Sequence, residues 1–288
     1  MIFKTLLNKL LFLIGVKSYR WKLAICEIQN NKVKILKIFD PGFFEFWADP
    51  FLIINKNKKY IFYECYNYLS KKGEIQCFEY KKNLVLKKKS ILSKNYHLSY
   101  PHIFKFKNKF YLIPESFESN KTSIYESVKF PYQWKKVKTI FKGNKVCDTT
   151  VFYKNKKFWL FVNKAKVHLD EFNKKLFIYS SKNIKFDKLT PHSKNPVINS
   201  LENGRNAGSI YFKDNSFYRP SQINKKDTYG YGFSINKITK LSNEKYNQLE
   251  ILRITPKNFN NKNICGVHHY NRISDKIFLT DLCFRFSF

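Results

Sequence analysis

The chain has 288 residues, and its 54 Lys and Arg against 21 Asp and Glu give a formal net charge of +33. This length favours one all-β domain, and no Gly/Ser-rich or Pro-rich linker divides the chain. The charge predicts a surface that attracts phosphates, lipid head groups or nucleic acid. No recognition helix or RNA-binding motif is present, which argues against sequence-specific nucleic-acid binding. The six Cys form no Cys-x-x-Cys pair, so we expect buried, reduced thiols in a cytosolic protein.

Residues 1–20 predict an amphipathic N-terminal segment. Leu6, Leu7, Leu10 and Leu11 recur at helical spacing with lysines between them. The apolar run is too short to span a bilayer, and no small-residue cleavage site follows it. We therefore expect this segment to lie on an anionic membrane surface, with packing against the protein as the alternative.

The rest of the chain, residues 21–288, carries an internal repeat of five units. Each unit has an apolar run, a polar turn and a second apolar run, which is typical of a β-hairpin. The units are DPFLIINKNKKYIFYE (49–64), YPHIFKFKNKFYLIPE (100–115), DTTVFYKNKKFWLFVN (148–163), AGSIYFKDNSFYRPSQ (207–222) and VHHYNRISDKIFLTDL (267–282). Their starts lie 51, 48, 59 and 60 residues apart, which fits one four-stranded sheet per unit. The sequence thus predicts a single five-bladed β-propeller.

The repeat also predicts where a site could lie. If the first run of each unit is the innermost strand, the first and sixteenth residues of every unit meet at one mouth of the central channel. This register brings together Asp49, Glu64, Tyr100, Glu115, Asp148 and Gln222. Four carboxylates in one ring repel each other and shift each other's pKa, which favours chemistry over scaffolding. The alternative is that single acids pair with Lys or cap strand ends.

Several other side chains are candidates for substrate binding. Arg205 and Arg219 lie in the fourth unit, and Arg binds phosphate with two parallel hydrogen bonds where Lys cannot. Only one of His268 and His269 can face the channel, because neighbouring residues of a strand point to opposite faces. The remaining candidates are His97, His102 and Asn206 as polar groups, with Trp47, Tyr100 and Tyr229 as a sugar-stacking wall or as core residues. No spacing specifies a metal ion.

The run Trp47-Ala48-Asp49-Pro50 resembles the opening of the first blade in the propeller glycosidases, which include arabinanases, β-xylosidases, levansucrases and invertases. The resemblance implies that Asp49 is the base or nucleophile and that Asp148 tunes its pKa and orients the sugar. Those enzymes use a Glu of the fourth blade to protonate the leaving alcohol. Here the fourth blade opens with Arg205-Asn206-Ala207-Gly208, which lacks that acid.

A closer resemblance covers the chain from Phe46 onward. Ten short motifs in order, among them those at 47–51, 113–116, 205–208 and 266–269, are similar to the propeller domain at the N-terminus of plant glucosamine inositolphosphorylceramide transferases. Related propellers occur in bacterial surface-polysaccharide proteins. The resemblance implies a membrane-associated enzyme of bacterial surface-glycan assembly, for lipopolysaccharide or capsule, at the inner face of the cytoplasmic membrane.

A phosphate leaving group needs positive charge rather than a general acid. The sequence therefore predicts a glycosyltransferase that moves a phosphate-activated furanosyl unit, for instance from phosphoribosyl pyrophosphate, to a lipid-linked glycan acceptor. Asp49 would deprotonate the acceptor, Asp148 would orient the sugar and Glu115 would position hydroxyl groups. The furanose rests on analogy with the glycosidases, and whether Mg²⁺ accompanies a pyrophosphate donor stays open. One alternative is a glycoside hydrolase with Glu115 or Glu202 as acid, and another is a non-catalytic carbohydrate-binding propeller.

Overall fold

A computed structural model describes residues 19–81, 84–166 and 168–285. The amphipathic segment expected in residues 1–20 lies outside this range except for Tyr19 and Arg20, which begin the first strand. Within the described ranges the regular structure consists of 22 strands and three short 3₁₀ turns, Phe117–Ser119, Leu169–Asn173 and Pro256–Asn258. No helix in these ranges is long and hydrophobic enough to cross a bilayer.

The strands form five antiparallel sheets, which confirms the five-bladed β-propeller. The first two strands of the chain, β1 (Tyr19–Gln29) and β2 (Lys32–Phe39), belong to the fifth blade. The first blade contains β3 (Glu45–Asn55), β4 (Lys58–Asn67), β5 (Lys72–Lys81) and β6 (Leu84–Leu92). The second contains β7 (Ser99–Phe106), β8 (Lys109–Glu115), β9 (Thr122–Lys129) and β10 (Gln133–Ile140).

The third blade contains β11 (Lys145–Lys154), β12 (Lys157–Ala165), β13 (Lys175–Ser181), β14 (Thr190–Pro191) and β15 (Ile198–Asn199). The fourth contains β16 (Tyr211–Lys213), β17 (Ser216–Lys225), β18 (Thr228–Leu241) and β19 (Tyr246–Ile254). The fifth is completed by β20 (Ile264–Gly266), β21 (Asn271–Arg272) and β22 (Ile277–Arg285). The repeated hairpins are the inner strand pairs, as the sequence predicted.

The N-terminal strands close the ring. β1 pairs with β22 from Tyr19 opposite Arg285 to Glu27 opposite Ile277, and β2 pairs with the outer side of β1. The last blade is thereby built from both ends of the described chain. The repeat alone did not predict this closure, because β1 and β2 lie before the first repeat unit.

The core lies between neighbouring blades. The aromatic residue at the twelfth position of each unit is buried, and these residues are Tyr60, Tyr111, Trp159, Tyr218 and Phe278. Alternation along each strand places such rings against the next blade, where their burial is the main stabilising contribution. All six cysteines are unpaired and five are buried, as their scattered spacing predicted.

Three inner strands carry the same bulge at the same mouth of the propeller. The strand register shifts between Ala48 and Phe51 and at the equivalent places of β7 and β11. The bulged residues Asp49, Tyr100 and Asp148 have φ of 49°, 40° and 48°, in the left-handed region. Such a conformation costs about 1–3 kcal/mol for a residue other than glycine. A bulge turns its side chain away from the regular strand direction, so this backbone re-aims Asp49 and Asp148.

Candidate functional site

The mouth at which the inner strands begin contains a cavity of about 370 Å³. Its walls combine three carboxylates, two imidazoles, one guanidinium and a set of aromatic rings, which are Asp49, Glu64, Glu115, His97, His268, Arg205, Tyr19, Trp21, Phe46, Tyr66, Tyr68 and Tyr229. A larger cleft of about 580 Å³ between the first and fifth blades is lined mainly by aliphatic and lysine side chains without a carboxylate. The first cavity is therefore the candidate site, and three of the four predicted acidic residues, Asp49, Glu64 and Glu115, line it, whereas Asp148 does not.

Asp49 is buried at the floor of this cavity. Its backbone N–H donates to Asp281 Oδ2 (2.8 Å). Its Oδ1 atom lies 3.4 Å from His269 Nδ1 and 3.6 Å from His268 Nε2, yet no described residue hydrogen-bonds that atom. Burial by itself raises the pKa of Asp49, but the His269 and His268 rings and Arg205 outweigh burial and hold this pKa below its ordinary value. Asp49 is thus a carboxylate whose ionised form is stabilised at the cavity floor, with its Oδ1 atom enclosed beside the two imidazoles.

Asp281 and His268 support Asp49 from below. Asp281 is fully buried, and its Oδ1 atom accepts hydrogen bonds from His268 Nδ1 (2.7 Å) and from the His268 backbone N–H (3.2 Å). The His268 ring lies between Trp21 and Tyr229, with ring centres 4.2 and 5.2 Å away. Burial lowers the pKa of His268, and the Asp281 and Asp49 carboxylates raise it above its ordinary value. These contacts fix the imidazole beside Asp49.

Sequence reasoning missed Asp281. It occupies the fifteenth position of the fifth unit, whereas the predicted series used the first and sixteenth positions. One signal was present, because an Asp inside the apolar run Ile277–Leu282 must find a partner when buried.

Glu64 and Glu115 form the opposite wall. Glu64 Oε1 lies 3.4 Å from His97 Nε2. Glu115 accepts hydrogen bonds from Ser99 Oγ (2.7 Å) and the Phe117 N–H (3.2 Å). Burial, and then the neighbouring Asp49 and Glu115 carboxylates, raise the pKa of Glu64 well above its ordinary value. Burial also raises the pKa of Glu115. Both groups therefore keep a proton to higher pH than an exposed glutamate does.

Arg205 links Asp148 to the cavity. Its Nε atom bonds Asp148 Oδ2 (2.5 Å), and its Nη1 atom donates to Asn173 Oδ1 (2.8 Å). The guanidinium lies 5.0 Å from the centre of the Tyr229 ring, within cation–π range. Burial raises the pKa of Asp148 to about 6 although Arg205 opposes this shift. Asp148 thus acts on the cavity through the arginine that it orients.

Arg219 does not reach the cavity, so its predicted role as a phosphate ligand is wrong. The side chain is fully buried, and its Nε, Nη1 and Nη2 atoms donate to Asn206 Oδ1 (3.0 Å), the Asn203 carbonyl (2.8 Å) and the Gly204 carbonyl (2.9 Å). The physical reason is that the loop before the fourth blade buries carbonyl groups that need donors. Asn206 has a similar role, because its Nδ2 atom donates to the carbonyls of Asp148 and Phe161.

Other predicted binding residues also lie in the core. Trp47 packs against Tyr63 and Phe78 and belongs to the wall of the first blade, so it offers no ring to a sugar. Tyr100 bonds Thr150 Oγ1 (2.7 Å) through its hydroxyl. Strand alternation directs the Trp47 ring into the core, whereas the bulge at Tyr100 directs its hydroxyl towards Thr150 of the third blade.

Three further polar candidates are buried outside the cavity. His102 Nε2 accepts a hydrogen bond from the Val151 N–H (2.9 Å), which joins the second blade to the third. Gln222 is buried and does not line the cavity. His269 lies below Asp49, so His268 is the member of the pair that faces the channel. Glu202, the alternative acid, is exposed and pairs with Arg253 away from the site.

An aromatic wall replaces the one that the sequence predicted. Phe46 and Tyr66 stack with ring centres 4.7 Å apart and an interplanar angle of 11°. Tyr19, Trp21 and Tyr68 complete this side of the cavity, together with Tyr229, which was predicted. Aromatic residues make up 18% of the chain, so composition could not separate these rings from those of the core.

One group of side chains has the spacing of a metal site. Ligand atoms of Asp49, His268 and Asp281 lie within 4.8 Å of one another. Both Asp281 oxygens, however, already accept hydrogen bonds from N–H groups. Mg²⁺ demands near-octahedral oxygen coordination, and this set leaves it only the Asp49 carboxylate. The residues present therefore fit a hydrogen-bonded support for Asp49 better than a Mg²⁺ site.

Comparison with known proteins identifies a family that matches most of the chain. The family described as glucosamine inositolphosphorylceramide transferase 1, N-terminal, matches residues 18–277. The Arabidopsis thaliana glucosamine inositolphosphorylceramide transferase 1 is 32% identical over 234 residues, which cover 78% of this chain and 30% of the relative. The protein of the same name from Oryza sativa subsp. japonica is 29% identical over 210 residues, covering 72% and 28%. The chain thus spans less than a third of the length of these relatives.

Solved structures with a similar fold are glycosidases. The α-L-arabinofuranosidase PaAbf62A from Podospora anserina has a TM-score of 0.62 at 11% identity, over 92% of this chain and 96% of that one. The GH32 β-fructofuranosidase BmSUC1 from Bombyx mori has a TM-score of 0.57 at 11% identity, over 76% and 54%. At this identity the likeness shows the five-bladed fold alone.

Proposed function

The chain belongs to the family of the N-terminal domain of glucosamine inositolphosphorylceramide transferase 1, and from this premise we propose that it transfers a glycosyl unit from a phosphate-activated donor to a sugar hydroxyl. The observation that carries the proposal is the Asp49 carboxylate, which lines the cavity floor beside the His268 and His269 imidazoles. The part of this carboxylate that lines the cavity can accept a hydrogen bond from a hydroxyl group of a bound acceptor.

Asp49 acts as the general base. The acceptor hydroxyl donates its hydrogen to the Asp49 carboxylate and its oxygen attacks the anomeric carbon. The bond from that carbon to the phosphate oxygen breaks, the leaving phosphate keeps the electron pair, and the proton passes to Asp49. The nearby His268 and His269 rings keep Asp49 ionised, as a base requires.

Arg205 supplies the positive charge at the leaving group. Its Nε and Nη1 atoms are held by Asp148 and Asn173, and Nη2 donates to no described residue. A guanidinium fixed in this way can stabilise the charge that develops on a departing phosphate. Asp148 orients Arg205, and Glu115 and Glu64 position sugar hydroxyls. With Arg219 in the core, Arg205 and the channel-facing His268 remain as the phosphate ligands of the proposal.

The donor we propose is a furanosyl compound such as phosphoribosyl pyrophosphate, and the acceptor is a sugar of a lipid-linked glycan. A cavity of about 370 Å³ has room for one small sugar unit, and the stacked Phe46 and Tyr66 rings suit a sugar face at its rim. The resemblance to bacterial surface-polysaccharide proteins and the charge of +33 support surface-glycan assembly at the inner face of the cytoplasmic membrane.

A second candidate function is glycoside hydrolysis. The raised pKa values of Glu64 and Glu115 favour it, because a carboxylic acid that keeps its proton to higher pH is better suited to protonate a leaving alcohol. In that reaction Asp49 would activate a water molecule and Glu115 would be the acid.

Turnover assays on the purified protein decide between these functions. We expect pyrophosphate release from phosphoribosyl pyrophosphate in the presence of a glycan acceptor, with at least ~100-fold lower turnover in Asp49→Asn and in Asp148→Asn. Asp40→Asn, which changes an exposed aspartate paired with Lys22, is the matched control and should keep full activity.

Near-normal turnover in the folded Asp49→Asn variant would remove the base from the mechanism. Hydrolysis of aryl arabinofuranosides without turnover of the phosphate donor would favour the hydrolase. Glycan binding by calorimetry with neither reaction would favour a binding propeller.

A further inference from the structure

Large apolar side chains are exposed on the loops beside the cavity. Phe43, Phe44 and Leu69, which we call the apolar rim, are 55%, 38% and 60% exposed. The Phe43 and Phe44 rings meet edge to face with centres 5.0 Å apart. The rim residues do not line the cavity, although their neighbours Phe46 and Tyr68 do. A cluster of this kind on a folded protein marks an interaction surface.

Hydrogen bonds hold the first rim loop in its exposed position. Arg20 donates to the carbonyls of Glu45 (2.8 Å) and Pro41 (2.9 Å), and the Glu45 N–H closes a turn onto the Gly42 carbonyl (3.0 Å). Because these hydrogen bonds hold the loop backbone in place, the fold itself keeps Phe43 and Phe44 exposed to solvent.

The second rim loop is fixed in the same way. The Tyr68 N–H donates to the Phe44 carbonyl (2.8 Å), which joins the two loops. Asn67 Oδ1 accepts hydrogen bonds from the N–H groups of Leu69 (2.9 Å) and Ser70 (3.0 Å). Leu69 therefore projects from a capped turn next to Phe44.

Lysines surround the apolar rim. Leu69, Lys72 and Lys94 line one surface depression, and Lys71 is the neighbouring loop residue. Glu45 and Glu74 lie in the same depression, and Lys88 Nζ lies 3.8 Å from Glu45 Oε2. Lysines outnumber these two acids, and exposed apolar groups flanked by an excess of lysines are complementary to an anionic lipid surface.

The apolar rim lies at the mouth of the cavity. Phe46 and Tyr68, which flank the rim in the chain, line the cavity together with Tyr19 at the start of β1. We infer that the apolar rim docks the propeller onto an anionic bilayer with the cavity mouth towards the membrane. This orientation would present the cavity to a lipid-linked acceptor, and for the acceptor alone the inference rests on the proposed function.

Vesicle co-sedimentation of the full chain tests the docking surface. Phosphatidylcholine vesicles with about 30% phosphatidylglycerol should bind the wild-type chain. Combined Phe43→Ser, Phe44→Ser and Leu69→Ser changes should weaken this binding at least ~10-fold. The matched control combines Phe212→Ser and Ile54→Ser, whose side chains are 57% and 60% exposed on hairpins at the opposite mouth. It should bind as the wild type does.

Depth of insertion gives a second readout. A tryptophan introduced by Phe43→Trp should be quenched by brominated lipids, and one introduced by Phe212→Trp should not. Wild-type binding by the triple variant, an equal loss in the control, or stronger quenching at position 212 would each overturn the inference. Asp49→Asn should bind vesicles normally, so failure of the reaction and failure of the docking surface are distinguishable.

Discussion

Arg205 and Arg219 both belong to the fourth repeat region, but their surroundings give them different roles. Arg205 bonds Asp148 and lines the cavity, whereas Arg219 donates its hydrogen bonds to buried groups of the fourth blade. We expect Arg205→Lys to weaken donor binding about tenfold, because Lys cannot hold Asp148 and a phosphate in one plane. Arg219→Lys should leave donor affinity unchanged but cost about 2 kcal/mol or more in stability, through lost buried hydrogen bonds.

Calorimetry with phosphoribosyl pyrophosphate and thermal unfolding separate these two outcomes. Loss of donor affinity in Arg219→Lys with an unchanged melting temperature would contradict the assignment of Arg219 to the core.

The raised pKa of Glu64 should make the stability of the protein depend on pH. Its pKa in the folded protein lies above the ordinary value of 4.5 because of burial and neighbouring carboxylates. The folded state therefore binds this proton more tightly than the unfolded chain does, and stability is fully present below pH 4.5 and falls as the pH rises above it. Glu64→Gln removes the titration, so its melting temperature should fall less between about pH 5 and pH 8 than that of the wild type.

Glu79 provides the control for Glu64. It is buried to a similar degree but pairs with Lys58 (3.3 Å). Glu79→Gln should lower the melting temperature at pH 7, while Glu64→Gln should keep or raise it and reduce turnover. If the melting temperature of Glu64→Gln falls with pH as steeply as that of the wild type, the pKa of Glu64 is not raised in the folded protein and the prediction is wrong.

Among the strands, the same β-bulge has different roles in different blades. The bulge that aims Asp49 and Asp148 recurs at Tyr100, whose hydroxyl accepts from the Gly208 N–H (2.9 Å) and joins the second blade to the fourth. Gly208 has φ of 133°, and a Cβ atom there would lie 2.1 Å from the Tyr270 carbonyl oxygen. Only glycine allows this approach. Equal repeat position therefore fixes backbone shape but not the role of the side chain.

The closing strands predict a sharp limit to N-terminal truncation. Removal of residues 1–17 should leave a folded propeller, because β1 begins at Tyr19. Removal of residues 1–39 should abolish folding, because Leu23, Ala24 and Cys26 of β1 are fully buried between its neighbours. Circular dichroism and thermal unfolding measure both.

The shorter truncation also tests the expected membrane role of the first segment. It should reduce binding to anionic vesicles, and the remaining binding should fall with salt. Aggregation or unfolding of the shorter truncation would instead show that residues 1–17 pack on the blades.

At the scale of the whole molecule, charge is divided between the exterior and the site. The net charge of +33 comes from lysines spread along the loops and outer strands of every blade. The cavity instead gathers Asp49, Glu64 and Glu115 around Arg205. In the proposed function, the basic exterior attracts anionic lipids and the donor over long distances, and the acidic cavity binds hydroxyl groups at short range. Total charge therefore indicates the partners but not the chemistry of the site.

The number of blades and the meeting of Asp49, Glu64 and Glu115 at one mouth could be predicted from the sequence alone. Both follow from strand and hairpin periodicity, which is local and repeats along the chain. Tertiary structure alone decided that Arg205 faces the cavity while Arg219 and Trp47 do not, and that β1 and β2 close the ring. Those outcomes depend on contacts between residues far apart in the chain, such as Asp281 with Asp49. A repeat defines where each strand starts, but the packing of neighbouring blades chooses which side chains are buried and which meet a ligand.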